Sequence, residues 1–416
     1  MTIETATPGS VGISSERLAR IKPAMQTWID SGTIVGASMM LARRNKIVYR
    51  AEMGEMDKEA GVPMPGNAIF RIYSMTKPIV CTALMTLYEE GRFQLITPVA
   101  EFIPALGKVK VLHKTRSGNM REEKPKSPIT VGDLMKHTAG FTYDMLEDSP
   151  VAALYREAEL THDGRRSLEQ FVQTLAGFPL AYHPGSMWHY GVSIDVAAYL
   201  TEVLADQPLE EVLRERIFSP LGMADTGFSV PAEKRARCAA MYGVGDVAGR
   251  HMTMSKMQTA TENGTWGRLD VEDSYPMASS GTFARGGHGL FSTTRDYLRF
   301  ALMLLGNGAL DDARILGRKT AELMHVNHLP RELLPFENAG VVFDGYGFGL
   351  GSRTMMNVGA AGIPGSVGEF GWAGAASTYY WIDPVEELVG IFMTQYQGLK
   401  EPNKDFRVLA YQAIVE

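Results

Sequence analysis

The sequence predicts an α/β fold of the α+β kind: one sheet assembled from both ends of the chain, helices packed against it, and a mainly helical region inserted between. Two observations carry this. Strand patterns gather near the termini, and helical periodicity dominates the middle. The expected division is residues 1–95 and 285–416 for the sheet-bearing part, with 96–284 as an inserted helical domain containing long loops.

Each element follows from its own pattern. Residues 15–30 read as an amphipathic helix, because Leu18, Ile21, Met25, Trp28 and Ile29 recur at steps of three and four. Residues 35–41 and 47–51 flank the polar stretch Arg43-Arg44-Asn45-Lys46 and read as two strands joined by a turn. Residues 377–382 and 388–394 form a second such pair, rich in aromatic and β-branched side chains, and residues 405–414 a closing helix. In between, helices are expected at 130–136, 167–175, 193–204 and 209–217, and an exposed loop at 108–128, where charge and proline concentrate. A further helix spans 293–305, with Thr293 as its cap and Asp296 in the capping-box position.

Composition narrows the function. With 416 residues, 45% of them hydrophobic and 21% charged, the chain can bury a large core without staples. A net charge of −6 and a pI near 5.9 offer no basic face, so neither nucleic acid nor membrane is an expected partner. The opening Met1-Thr2-Ile3-Glu4-Thr5-Ala6-Thr7-Pro8-Gly9 lacks a basic region followed by an apolar one, so a cytoplasmic location is expected. Cys81 and Cys238 are the only cysteines and make neither a disulfide framework nor a zinc site; Cys81 reads as a small core residue.

Chemistry enters at Ser74-Met75-Thr76-Lys77. Residues three apart on a helix are surface neighbours, so the Lys77 amine can reach Ser74 Oγ, and a serine beside an amine base is an acyl-transfer nucleophile. Pro78 is tolerated mainly near a helix start, which sets Ser74 where free N–H groups favour an oxyanion. A lone S-x-x-K is weak evidence, because it arises by chance about once in a chain of this length.

Further segments strengthen it. Leu134-Met135-Lys136-His137-Thr138-Ala139-Gly140-Phe141, Pro184-Gly185-Ser186-Met187-Trp188-His189-Tyr190, Gly286-Gly287-His288-Gly289-Leu290-Phe291 and Gly371-Trp372-Ala373-Gly374 follow Ser74 in the order seen in serine hydrolases of the class C β-lactamase fold. The chain most resembles their esterase branch, the family VIII carboxylesterases. The resemblance implies an antiparallel sheet flanked by helices, and Tyr190 as the tyrosine that joins Ser74 and Lys77. It implies that Trp372, Ala373 and Gly374 form a third element beside the serine, and that the backbone N–H groups of Ala375 and Ser74 make the oxyanion hole.

Two departures matter. Penicillin-recognising relatives place a lysine where Trp372 stands, and often an asparagine where Val192 stands. Both changes remove polar recognition, which favours uncharged small-molecule esters. The expected enzyme is a carboxylesterase for short to medium acyl chains, working through an acyl-enzyme; the alternatives are a β-lactamase or D-Ala-D-Ala peptidase, or an acyltransferase using the same intermediate. Phe141, Tyr143, Trp188 and Trp372 are expected to line the acyl or alcohol pocket. No G-x-S-x-G elbow occurs, so the α/β-hydrolase fold is set aside. His325 and His328 read as solvated helix histidines, and His137 and His189 as structural or cleft-lining. No metal or other cofactor is expected. Whether Lys77 or Tyr190 takes the first proton stays open.

Overall fold

The computed structural model describes residues 3–115, 117–161, 166–278 and 284–416. Its centre is an antiparallel sheet. Early strands are β1 (Gly36–Arg43), β2 (Lys46–Asp57) and β3 (Val62–Pro63); late ones are β4 (Tyr346–Phe348), β5 (Arg353–Met355), β6 (Phe370–Ala373), β7 (Tyr379–Asp383) and β8 (Leu388–Met393). Their spatial order is β4-β5-β6-β7-β8-β1-β2-β3, so β8 closes against β1 with Met40 opposite Ile391. Arg44 and Asn45 take φ of 51° and 60°, the left-handed pair that a two-residue hairpin turn requires. β2 runs on past Ala51 to Asp57 because Glu52–Gly54 pair with the start of β1 and Glu55 and Asp57 with β3.

The helices that position the site are α1 (Ile21–Asp30), α2 (Thr76–Glu89), α3 (Ser193–Ala205), α4 (Thr294–Leu305) and α5 (Pro402–Tyr411). On one face of the sheet Met39, Leu41, Trp381 and Phe392 share a core with Ile21 and Met25 of α1 and Phe406 of α5. On the other, Met40, Ala42, Ile391 and Met393 share a core with α2 and α4. Coverage of both faces is why β1 is buried at every position and shows no apolar–polar alternation.

Several expectations change in detail. The first helix breaks at Ala19 and Arg20 into Ser15–Leu18 and α1. The 108–128 loop contains a small hairpin, Val111–Lys114 with Met120–Glu123. Residues 209–217 begin as helix Leu209–Leu213 and widen into a π turn, Arg214–Phe218. Thr293 caps α4 through the Asp296 N–H at 3.1 Å, but the box does not close: the Asp296 carboxylate accepts instead from Asp225 N–H and Thr226 Oγ1, at 2.8 and 3.0 Å. His325 is not solvated, because Phe370 on β6 offers it an aromatic face and the two rings stack at 3.6 Å. His328 is half-buried and bonds the Leu323 carbonyl at 2.8 Å. Cys81 is fully buried. Among the described residues no helix is long and apolar enough to cross a membrane.

Candidate active site

Ser74 lies in a 3-10 turn, Tyr73–Met75, that feeds α2. Pro78 is the third residue of α2, where its missing N–H costs no intrahelical bond. Tyr73 has φ +43°, a conformation that a bulky residue holds only when its surroundings enforce it. They do: the Tyr73 hydroxyl accepts from Gln397 Nε2 at 2.6 Å, and its ring packs 4.8 Å from that of Tyr275. The turn is also tied to the segment leading into α4. Ile72 N–H donates to Leu290 O at 3.0 Å, Leu290 N–H to Thr76 Oγ1 at 3.1 Å, and Tyr297 OH to Met75 O at 2.9 Å.

Lys77 is wholly buried. Its amine reaches Ser74 Oγ at 3.0 Å, Tyr143 OH at 3.0 Å and Gly287 O at 2.7 Å, one partner for each N–H of an ammonium. Only the Gly287 carbonyl is restricted to accepting. The two hydroxyls can turn round and donate, so the same geometry also suits a neutral amine with its lone pair toward Ser74. Burial, then the charges of Asp195 and Tyr190, push the Tyr143 pKa well up, so this hydroxyl keeps its proton at neutral pH. Burial first, and then Lys77, push His137 well below the ordinary histidine range and His288 down to about 3.

Tyr190 sits beside this group. Its ring centroid is 4.6 Å from Lys77 Nζ, and its hydroxyl accepts from Trp372 Nε1 at 3.1 Å. Gly191 follows it because a Cβ there would lie 2.8 Å from the Phe141 carbonyl oxygen. Trp372 is 5% exposed and packs on Phe343 and Phe348 at 6.1 and 5.2 Å. Val192 is fully buried in the core, with its N–H on Thr142 O, so it offers no surface to the cleft.

Gly374 follows β6 and lies against the turn that carries Ser74. A Cβ on it would collide with Ile72 O and Thr378 Oγ1, so the missing side chain admits backbone rather than substrate. Ala375 is exposed, and among the described residues its N–H has no acceptor.

A cleft of about 710 Å³ is lined by Ser74, Tyr190, Trp372, Ala373, Gly374 and Ala375, with Met145, Met254 and Phe343 adding apolar surface. A second lobe, about 670 Å³, holds Trp188, His189, Tyr182 and Phe336 and shares Tyr190 with the first. The hairpin Phe336–Asn338 and Val341–Phe343 stands between them, with Asn338 and Ala339 facing both. Two expected pocket residues are elsewhere. Phe141 is 1% exposed, in the core, because its backbone packs on Gly191; Tyr143 is turned onto Lys77 and lines neither lobe. The Tyr143 and Gly287 contacts with Lys77 escaped sequence reasoning. Tyr143 stood among candidate pocket aromatics, and a backbone carbonyl has no side-chain signature. Among the described residues no group of three or more His, Cys, Asp or Glu side chains is placed to hold a metal.

A family profile described as Beta-lactamase matches residues 19–414. The chain belongs to the Beta-lactamase family. Within this β-lactamase-fold group it is 32% identical over 378 residues to "Protein Rv1367c" of Mycobacterium tuberculosis (strain ATCC 25618 / H37Rv), covering 88% of this chain and 87% of the relative. It is 28% identical over 416 residues to "Esterase EstB" of Burkholderia gladioli, covering 97% of each. The solved structure titled "EstCE1, a hydrolase with promiscuous acyltransferase activity" superposes with a TM-score of 0.76 at 24% identity, over 96% of this chain and 99% of that one. That likeness carries the β-lactamase-like fold. The protein is thus a serine hydrolase of the Beta-lactamase family.

Proposed function

We propose that this protein is a carboxylesterase of the family VIII type, hydrolysing small-molecule esters of short to medium acyl chains through an acyl-enzyme. The observation that carries the reading is the buried Lys77 amine 3.0 Å from Ser74 Oγ, in a cleft where an indole stands in place of a cation. The similarity to EstB over the whole chain supports it.

Ser74 Oγ attacks the ester carbonyl carbon while its proton passes to the Lys77–tyrosine group. The Ser74 and Ala375 N–H groups stabilise the tetrahedral oxyanion. The carbon–oxygen bond to the alcohol then breaks, and the leaving oxygen takes a proton from the Tyr190 hydroxyl, which Lys77 replenishes. Water enters by the reverse path and releases the acid. Tyr190 and Lys77 exchange the protons as a pair, and Tyr143 serves only to hold the amine. An alcohol in place of water would give transfer instead, and the lobe beyond Tyr190 has room for one.

The test is a panel of p-nitrophenyl esters of increasing acyl length beside a chromogenic cephalosporin, with and without an acceptor alcohol, on the protein and on Ser74→Ala. The reading expects ester turnover that greatly exceeds lactam turnover and disappears in Ser74→Ala together with covalent phosphonate labelling. Cephalosporin turnover equal to that of the best ester, or retained activity in Ser74→Ala, would overturn it.

A further inference from the structure

Asp195 is the third residue of α3 and 1% exposed, an acid in the interior that the chemistry above does not use. A buried carboxylate is costly unless it is hydrogen-bonded. At this helix position an acid can close a capping box on the N–H of the residue preceding the helix. Here that residue is Val192, whose N–H goes to Thr142 O at 3.3 Å, and Asp195 Oδ1 accepts instead from the Gly287 N–H at 2.9 Å.

Gly287 is the residue whose carbonyl holds the catalytic amine, at 2.7 Å the shortest of the three Lys77 contacts. A Cβ on Gly287 would lie 2.5 Å from Asp195 Oδ2 and 2.9 Å from the Tyr143 hydroxyl, so carboxylate, glycine and phenol close on one another with no space for a side chain. Glycine is also the residue with most backbone freedom, and Gly287 belongs to a turn rather than to a helix or strand. Something must hold its peptide. The cations whose charge Asp195 feels are Lys77 and Arg285, which ties the carboxylate electrostatically to the same centre.

We propose that Asp195 is a positioning residue: by anchoring the Gly287 N–H it fixes the residue whose carbonyl, one peptide further on, holds the Lys77 amine against Ser74. This rests on the reading of Ser74 and Lys77 as the acyl-transfer pair. A displacement of about 1 Å in such a pair costs about a hundredfold in rate, even when the change that causes it touches no substrate.

The experiment compares Asp195→Asn, which keeps an acceptor oxygen for Gly287 N–H, with Asp195→Ala, which does not. Turnover of a p-nitrophenyl ester is divided by the number of sites that a fluorophosphonate probe labels. Asp195→Ala should lose about a hundredfold in kcat per labelled site with KM within about threefold, while Asp195→Asn stays within about threefold of the parent in both. A purely structural role predicts lower Tm and fewer labelled sites in Asp195→Ala but unchanged kcat per site, and that result overturns the proposal. If Asp195→Ala does not fold, Asp195→Asn decides alone: a folded Asn variant slowed about a hundredfold overturns it, and one within threefold sustains it. Failure of the esterase reading itself would appear separately, as a parent protein that neither labels nor turns over esters.

Discussion

The indole Nε1 of Trp372 donates to the Tyr190 hydroxyl oxygen across 3.1 Å. Indole is a donor only, so the bond occupies an oxygen lone pair and leaves the phenolic proton free for a third group. Trp372 is therefore both a wall of the cleft and a ligand of the tyrosine. Trp372→Phe keeps the aromatic wall and removes this bond; kcat should fall by about tenfold, the worth of one buried hydrogen bond, with KM for short esters nearly unchanged. Trp372→Lys should lower the ratio of kcat/KM for a short ester to that for a cephalosporin. An unchanged ratio would put Trp372 outside the reach of substrate.

Two tyrosines flank Lys77 in different ways, Tyr143 through its hydroxyl and Tyr190 through its ring. If Tyr190 carries protons, Tyr190→Phe should cost at least about a hundredfold in kcat. Tyr143→Phe, which only strips one acceptor from the amine, should cost about tenfold. Steady-state kinetics on both variants reads this directly, and the reverse ranking would transfer the proton-carrying role to Tyr143.

Gly374→Ala tests the third element. The added methyl meets Ile72 O and Thr378 Oγ1, both fixed, so β6 must retreat from the Ser74 turn and take the Ala375 N–H with it. Losing one oxyanion donor costs about a hundredfold or more in kcat. Phosphonate labelling should slow in parallel with ester hydrolysis; labelling at the parental rate would mean that this amide does not serve the oxyanion.

His137 is wholly buried at φ +57°, with neither ring nitrogen partnered among the described residues. Its folded pKa lies well below the ordinary value near 6.5. The unfolded chain therefore binds the extra proton first: the stability is fully present above about pH 6.5 and is lost as pH falls toward the folded value. The raised carboxylates Asp144, Asp195, Glu202 and Asp296 act with the opposite sign, but equally in parent and variant. His137→Asn, a substitution that tolerates positive φ, should flatten the decline of Tm between pH 7 and 5 in a thermal-shift series. Parallel curves for the two proteins would remove His137 from the acid sensitivity.

What could be read in the sequence was whatever leaves a side-chain signature. The strands at each end were legible because Val, Ile, Tyr and Trp cluster between turn residues, and Ser74 and Lys77 because three-residue spacing on a helix is contact. Element ends drifted where tertiary partners decided them: β2 outran its apolar pattern by pairing with the start of β1 and then with β3, and Asp296 left its cap for Asp225 and Thr226. Phe141 and Tyr143 looked alike as aromatics near a motif, and only packing separates one in the core from one on an amine. The Gly287 carbonyl and the Asp195 anchor were invisible because they join backbone to side chain across 92 residues or more.

The closing of β8 onto β1 fixes an order of events during synthesis. A nascent chain that has emerged as far as β4 already carries Ser74, Lys77, Tyr143, Tyr190 and Gly287, but it has neither the indole of Trp372 nor the Ala375 amide, and β1 still lacks the neighbour that pairs with it through Met40 and Ile391. Ser74 is thus translated long before Trp372 and the Ala375 amide, and the proposed site is whole only once β6 and the strands that follow it have emerged.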